Sequence, residues 1–139
     1  MLWKIDESTV SEHFSLDGDD RCYYIWEYTA GKRYDFSPTN QLITNLKIKP
    51  GAIARTPARG RYKQQAILHA GNALRRLISR EFVETRATFV PIACSKSLGD
   101  PDHDDRLPRV LQHAFHDWSG DVREMLTLTR SYPRRSREC

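Results

Sequence analysis

The chain has 139 residues, of which 39% are hydrophobic and 29% are charged, and its net charge is +4. This length suits one domain of ordinary size, and the composition predicts a modest core beneath a heavily charged surface. No apolar run approaches the roughly 18 residues of a membrane span and the N terminus lacks the features of a signal peptide, so we expect a cytoplasmic protein without membrane association.

The first part of the chain predicts a strand and a short helix. Residues 21–29 are rich in aromatic and β-branched side chains, which is typical of a strand. Ser37 and Pro38 give a helix-start signal, and we expect this helix to stop at Pro50 and Gly51.

The middle of the chain predicts a loop, a long helix and a buried strand. Residues 52–60 contain proline, glycine and arginine without periodicity, which indicates an exposed basic loop. Apolar residues recur every three or four positions from Tyr62 to Arg80, as in an amphipathic helix. Residues 87–93 are almost wholly apolar, as expected for an interior strand of a parallel sheet. The long helix is then predicted to be a right-handed crossover between parallel strands.

The last part of the chain predicts one more helix. Apolar residues repeat at helical spacing from Leu107 to Trp118, and Pro108 fits only in the first turn. Residues 122–129 fit either a strand or a helix. We therefore predict a single α/β domain over residues 1–129, with a parallel sheet and crossover helices, and a disordered basic tail over residues 130–139.

Residues near the end of the predicted strand 87–93 carry the main candidate site. Cys94, Ser95 and Lys96 follow the apolar run, and a loop rich in Gly, Pro and Asp then delivers Asp104-Asp105-Arg106. Parallel sheets bind ligands at the carboxyl ends of their strands. A lysine and backbone amides at such a turn favour phosphate oxygens.

These motifs resemble those of phosphoribosyltransferase-like proteins related to competence-type amidophosphoribosyltransferases. The resemblance runs from about Tyr24 to Arg123, and its most specific part joins Val90-Pro91-Ile92 to Asp104-Asp105-Arg106. It implies the first half of that family's fold, with a shifted or truncated C terminus as one explanation of the basic tail.

The resemblance also implies a substrate-binding site. The site would bind a phosphorylated sugar or nucleotide, with Mg²⁺ if the ligand is phosphoribosyl pyrophosphate. Its members would be Ser95, Lys96, Asp104, Asp105 and Arg106, and Ser95 and Lys96 would contact the pyrophosphate. The family's ribose-phosphate loop has no counterpart in the chain, so we expect binding with absent or trace transfer activity, and no catalytic residue is assigned.

A second hypothesis is a nucleic-acid-binding or protein-binding domain. Residues 36–80 contain no Asp or Glu but many Lys and Arg, which favours anionic partners. The contacts would come from four residues: Arg55, Arg59, Arg61 and Lys63. Homo-oligomerisation stays open.

Other features of the sequence favour structural roles. His113 and His116 lack further ligands at a metal-binding spacing, so no metal site is predicted. The three cysteines are expected to be free thiols, although Cys94 would also suit a reactive thiol at the mouth of a pocket. The aromatic residues between Tyr23 and Phe36 would suit either a core or the stacking of nucleobases.

Overall fold

The computed structural model describes residues 1–128, and it shows a mixed α/β protein in which helices predominate. The described chain divides into two compact units, Met1–Gln41 and a second that begins at Leu42, and the single domain over residues 1–129 stays a prediction. The predicted basic tail lies outside the described residues. Within the described part of the chain, none of the helices combines the length and the apolar character needed to cross a bilayer.

The first unit contains a small antiparallel sheet. Strand β1 (Trp3–Lys4) pairs with strand β2 (Tyr23–Tyr24), with Trp3 opposite Tyr24, and helix α1 (Glu7–Ser11) lies between them in the chain. The Asp6 carboxylate caps α1 by accepting the Thr9 N–H at 2.8 Å. The strand predicted over residues 21–29 is limited to the two residues of β2.

Asn40 organises the turn that precedes it in the first unit. Its side chain is fully buried and bonds both the N–H and the C=O of Thr29 at 3.1 Å. Ser37 caps helix α2 (Pro38–Leu46) by accepting the Asn40 N–H at 3.0 Å, so the helix begins where the sequence predicts. It ends at Leu46, ahead of the expected stop.

In the second unit, the predicted basic loop over residues 52–60 is wrong. Helix α3 (Pro50–Arg55) and helix α4 (Ala58–Leu77) occupy this stretch, and only Thr56 and Pro57 separate them. Pro50 opens α3 instead of stopping α2, because a proline in the first turn lacks an N–H that the helix would leave unpaired anyway.

Helix α4 packs closely against helix α6 (Arg106–Phe115). Ile67 of α4 and Ala114 of α6 are buried, with 1% and 0% exposure. Arg75 extends from α4 to bond the Asp117 carboxylate at 2.5 and 3.1 Å, and these hydrogen bonds hold the pKa of Asp117 below its ordinary value. The predicted amphipathic helix is confirmed, with a start four residues earlier than expected.

The core of the second unit lies beside this helix pair. Helix α5 (Arg80–Thr85) contributes Val83, which packs with Phe115 and Ala114. The ring centroids of Phe89 and Phe115 lie 4.7 Å apart, so the strand that contains Phe89 packs against the same cluster.

The prediction of a long interior strand over residues 87–93 is wrong. Strand β3 (Thr88–Phe89) pairs only with strand β4 (Asp121–Val122), in a two-stranded parallel sheet. Ile92 is 79% exposed, and Pro91 offers no N–H for continued pairing.

Helix α6, and not α4, is the element between the paired parallel strands, so the prediction of a crossover over residues 62–80 is also wrong. Residues 122–129 fitted either a strand or a helix; β4 ends at Val122, and residues 123–128 have no regular structure.

Candidate functional site

The loop between β3 and α6 folds back on itself around Cys94. The Cys94 Sγ accepts the backbone N–H of Lys96 at 3.4 Å and that of Asp104 at 3.3 Å. His103 Nδ1 bonds the carbonyl of Lys96 at 2.9 Å. These contacts satisfy backbone groups and bring the two ends of the loop together.

A cavity of about 390 Å³ opens beside this loop. Its lining comes from three separate stretches of the second unit: the link between α2 and α3, the segment after β3, and the start of α6 with the residues before it. Four cationic side chains line it: Lys47, Lys49, Lys96 and Arg106. Two carboxylates, Asp102 and Asp104, also line it, which leaves an excess of two positive charges.

Asp104 is the most constrained charged group of the cavity. Its side chain is 5% exposed, and Oδ1 accepts the Lys63 ammonium at 2.7 Å. Oδ2 accepts the Arg106 guanidinium at 2.7 Å, and Oδ1 also accepts the Arg106 N–H at 3.1 Å. Burial of a carboxylate lowers the stability of the folded protein unless the carboxylate is paired in this way.

Asp102 and Asp100 bind two of the other cations, Lys49 and Lys96, more loosely. Asp102 accepts the Gly51 N–H at 3.0 Å and lies 3.5 Å from the Lys49 ammonium. Lys96 lies 3.7 Å from Asp100, and its side chain keeps 29% of its surface exposed. Lys49 and Lys96 can therefore turn towards a ligand at little cost, because partly exposed ion pairs contribute little free energy.

The structure gathers four of the five residues of the predicted substrate site. Ser95, Lys96, Asp104 and Arg106 all line the cavity. Asp105 does not; it borders an adjoining cavity of about 40 Å³ and lies 3.7 Å from Arg109.

Sequence reasoning missed the contribution of Lys47 and Lys49 to this cavity. The signal was the Lys-Ile-Lys spacing inside the acid-free stretch of residues 36–80, which places two cations on one short segment. Because Lys47 and Lys49 are far from Lys96 along the chain, the sequence did not indicate that they share a cavity with it.

The four residues of the predicted nucleic-acid surface differ in their exposure to solvent. Arg55, Arg59 and Arg61 are exposed at the α3–α4 turn. Lys63 is only 3% exposed, so its assignment to that surface is wrong: a buried ammonium cannot reach a phosphate backbone.

The carboxylates of the cavity do not fit a metal held by the protein alone. Both oxygens of Asp104 are engaged by cations, and residues 1–128 contain no group of three His, Cys, Asp or Glu placed to hold an ion. The His113 and His116 rings stack at 6.2 Å, and His113 Nε2 bonds Asn72 at 3.0 Å, so the structure gives them contacts within the protein.

The aromatic residues of the first unit form no single core. Tyr23 and Phe36 are about half exposed, and Tyr24, Trp26 and Tyr28 border an open groove of about 480 Å³.

Comparison of the chain with models of protein families, with curated proteins and with solved structures finds no match.

Proposed function

We propose that the chain binds a phosphorylated small molecule, a sugar phosphate or a nucleotide, in the 390 Å³ cavity. The observation that carries this proposal is the convergence of four cationic side chains from three separate segments on one concave surface. A cavity of this size suits a small ligand. Charge-assisted hydrogen bonds from Lys and Arg are the strong contacts to phosphate oxygens.

Lys96 and Arg106 are proposed as the principal phosphate contacts. Arg106 presents a planar fork that matches two phosphate oxygens, while Lys96 acts as a mobile point charge beside Ser95. This arrangement agrees with the role that the phosphoribosyltransferase-like resemblance implies for Ser95 and Lys96. Any Mg²⁺ would arrive with the phosphates of the ligand, the usual way in which this ion is bound.

The proposal is for binding in the cytoplasm, without complete phosphoribosyl transfer. The ribose-phosphate loop of the resembled family has no counterpart in the sequence. The carboxylates that would hold the ribose hydroxyls are therefore missing. Free thiols at Cys22 and Cys94 suit a reducing compartment. Phosphoribosyl pyrophosphate incubated with the protein and acceptor amines should release no more than trace pyrophosphate; rapid turnover would contradict the proposal.

Lys96→Ala should weaken pyrophosphate binding about tenfold, the equivalent of one charge-assisted hydrogen bond. Isothermal titration calorimetry with pyrophosphate and with phosphoribosyl pyrophosphate, each with and without Mg²⁺, measures the effect. The matched control is Lys32→Ala, which removes an exposed lysine of the first unit that lies over the Phe36 ring. No binding to the unaltered chain at millimolar ligand, or equal affinities for the two variants, would reject the site.

A second candidate function is nucleic-acid binding through the α3–α4 turn. The observation that favours it is the exposure of three arginines, Arg55, Arg59 and Arg61, within a stretch that has no acidic residue. Replacing all three with alanine should reduce the slope of log affinity against log salt by about 2 to 3 units, at roughly 0.7 to 0.9 per phosphate contact. Oligonucleotide titrations at several salt concentrations give that slope.

A control variant separates this surface from net charge alone. It removes three exposed arginines elsewhere in the chain: Arg21, Arg33 and Arg86. If both triple variants lower the slope equally, the α3–α4 turn is not a specific surface, and unchanged binding in both removes the nucleic-acid function.

A further inference from the structure

Lys63 is an unusual lysine, because its ammonium group is buried inside the second unit. Its side chain is 4% exposed and donates to the Asp104 carboxylate at 2.7 Å and to the Ile48 carbonyl at 2.5 Å. Burial of a charge is costly, and replacement of such a pair by apolar residues is often neutral for stability. Core packing alone therefore gives no reason for a lysine at this position.

The two partners of Lys63 belong to two of the three segments that supply cations to the cavity. Ile48 lies between Lys47 and Lys49 in the chain, and Asp104 bonds both the backbone and the guanidinium of Arg106. One ammonium on α4 thus ties the α2–α3 link to the start of α6. Like charges on neighbouring segments repel one another, and this anchor opposes their separation.

We propose, on the basis of the anion-binding function proposed above, that Lys63 is a positioning residue that acts through Asp104 to hold Arg106 ready for a phosphate group. A side chain that is already held loses less conformational entropy when the ligand binds. Asp104 weakens the positive potential of the cavity but fixes the direction of its arginine. We infer that orientation outweighs charge at this site.

Asp104→Asn distinguishes orientation from charge, because the two effects have opposite signs. The amide oxygen can still accept from Lys63, but the amide nitrogen would face the Arg106 guanidinium donor to donor and release it. If charge alone mattered, loss of a carboxylate would tighten pyrophosphate binding. The positioning role predicts binding about tenfold weaker, the equivalent of one lost charge-assisted contact.

Asp117→Asn is the matched control. Asp117 also holds an arginine of α4, Arg75, through two hydrogen bonds, and its replacement removes the same charge away from the cavity. Pyrophosphate affinity should stay within about twofold of the unaltered protein, because the change leaves Arg106 in place. Equal weakening in both variants would show a general loss of structure and would overturn the proposal.

NMR relaxation of the Arg106 Nε–H tests the positioning without any ligand. We expect an order parameter above about 0.6 in the unaltered protein, and a value below it in Asp104→Asn and in Lys63→Met, since about 0.6 marks flexible groups. If Lys63→Met does not fold, Lys63→Gln takes its place in this measurement, because it removes the ammonium charge and keeps a polar side chain. An equally mobile Arg106 in all forms, or Asp104→Asn that binds pyrophosphate as tightly as the unaltered chain, would reject the role of Lys63. Absence of pyrophosphate binding together with a rigid, Lys63-dependent Arg106 would reject only the proposed function.

Discussion

Lys63→Met should lower the free energy of unfolding by about 3 kcal/mol, the lower end of the range for breaking a buried ion pair. The substitution leaves Asp104 buried with Arg106 as its remaining cation, and it leaves the Ile48 carbonyl without the ammonium it accepts from. Methionine fills nearly the same volume, so a cavity does not contribute to the loss. Urea denaturation followed by circular dichroism measures the change, provided that the slope with denaturant stays constant.

The control for this prediction is Arg61→Met on the same helix. Arg61 is exposed, and surface substitutions of this kind stay within about 0.5 kcal/mol. The double variant Lys63→Met with Asp104→Leu should lose less than the sum of the two single losses, because no unpaired buried charge remains. A loss below about 1 kcal/mol for Lys63→Met would show that the pair is dispensable for stability.

Gly71→Ala should destabilise the protein by about 2 kcal/mol, although alanine favours helices over glycine by about 1 kcal/mol. A Cβ atom at Gly71 would lie 2.7 Å from the His113 ring and 3.0 Å from the Val110 carbonyl oxygen of α6. The backbone oxygen cannot rotate away, so α4 and α6 would have to separate. Thermal and urea unfolding of the variant measure the effect.

Gly60→Ala on the same helix provides the contrast. Its new Cβ would meet only the Ile53 side chain, at 3.3 Å, and a side-chain methyl can move. We expect this variant to be neutral or slightly more stable, because helix propensity then dominates. If both glycine variants changed stability by the same amount, the close approach of α4 and α6 would not be the cause.

The helices were the most predictable part of the fold. The long helix, now α4, and the helix now called α6 follow from apolar residues at three- and four-residue steps, because one face of each must be buried. The α3 helix was missed because Pro50 and Gly51 were interpreted as breakers, although a proline in the first helical turn is well tolerated.

The strands were less predictable, because an apolar run does not determine how many neighbours it will have. Residues 87–93 match the composition of an interior strand, but only Thr88 and Phe89 pair, and Ile92 is exposed. Pairing depends on which other segment lies alongside, and that is a property of the tertiary structure.

The sequence by itself determined the local features of this protein: the amphipathic helices, the caps, and the concentration of cations between residues 36 and 80. These depend on neighbours within a few residues, whose spacing the sequence gives directly. Only the tertiary structure decided that Lys63 is buried and not a surface contact. Its partner Asp104 lies 41 residues away, and nothing local distinguishes a lysine that will find a buried carboxylate from one that will remain in solvent. The same packing of distant segments brought Lys47 and Lys49 to the cavity of Lys96 and Arg106, because a charge cluster in space requires no cluster in sequence.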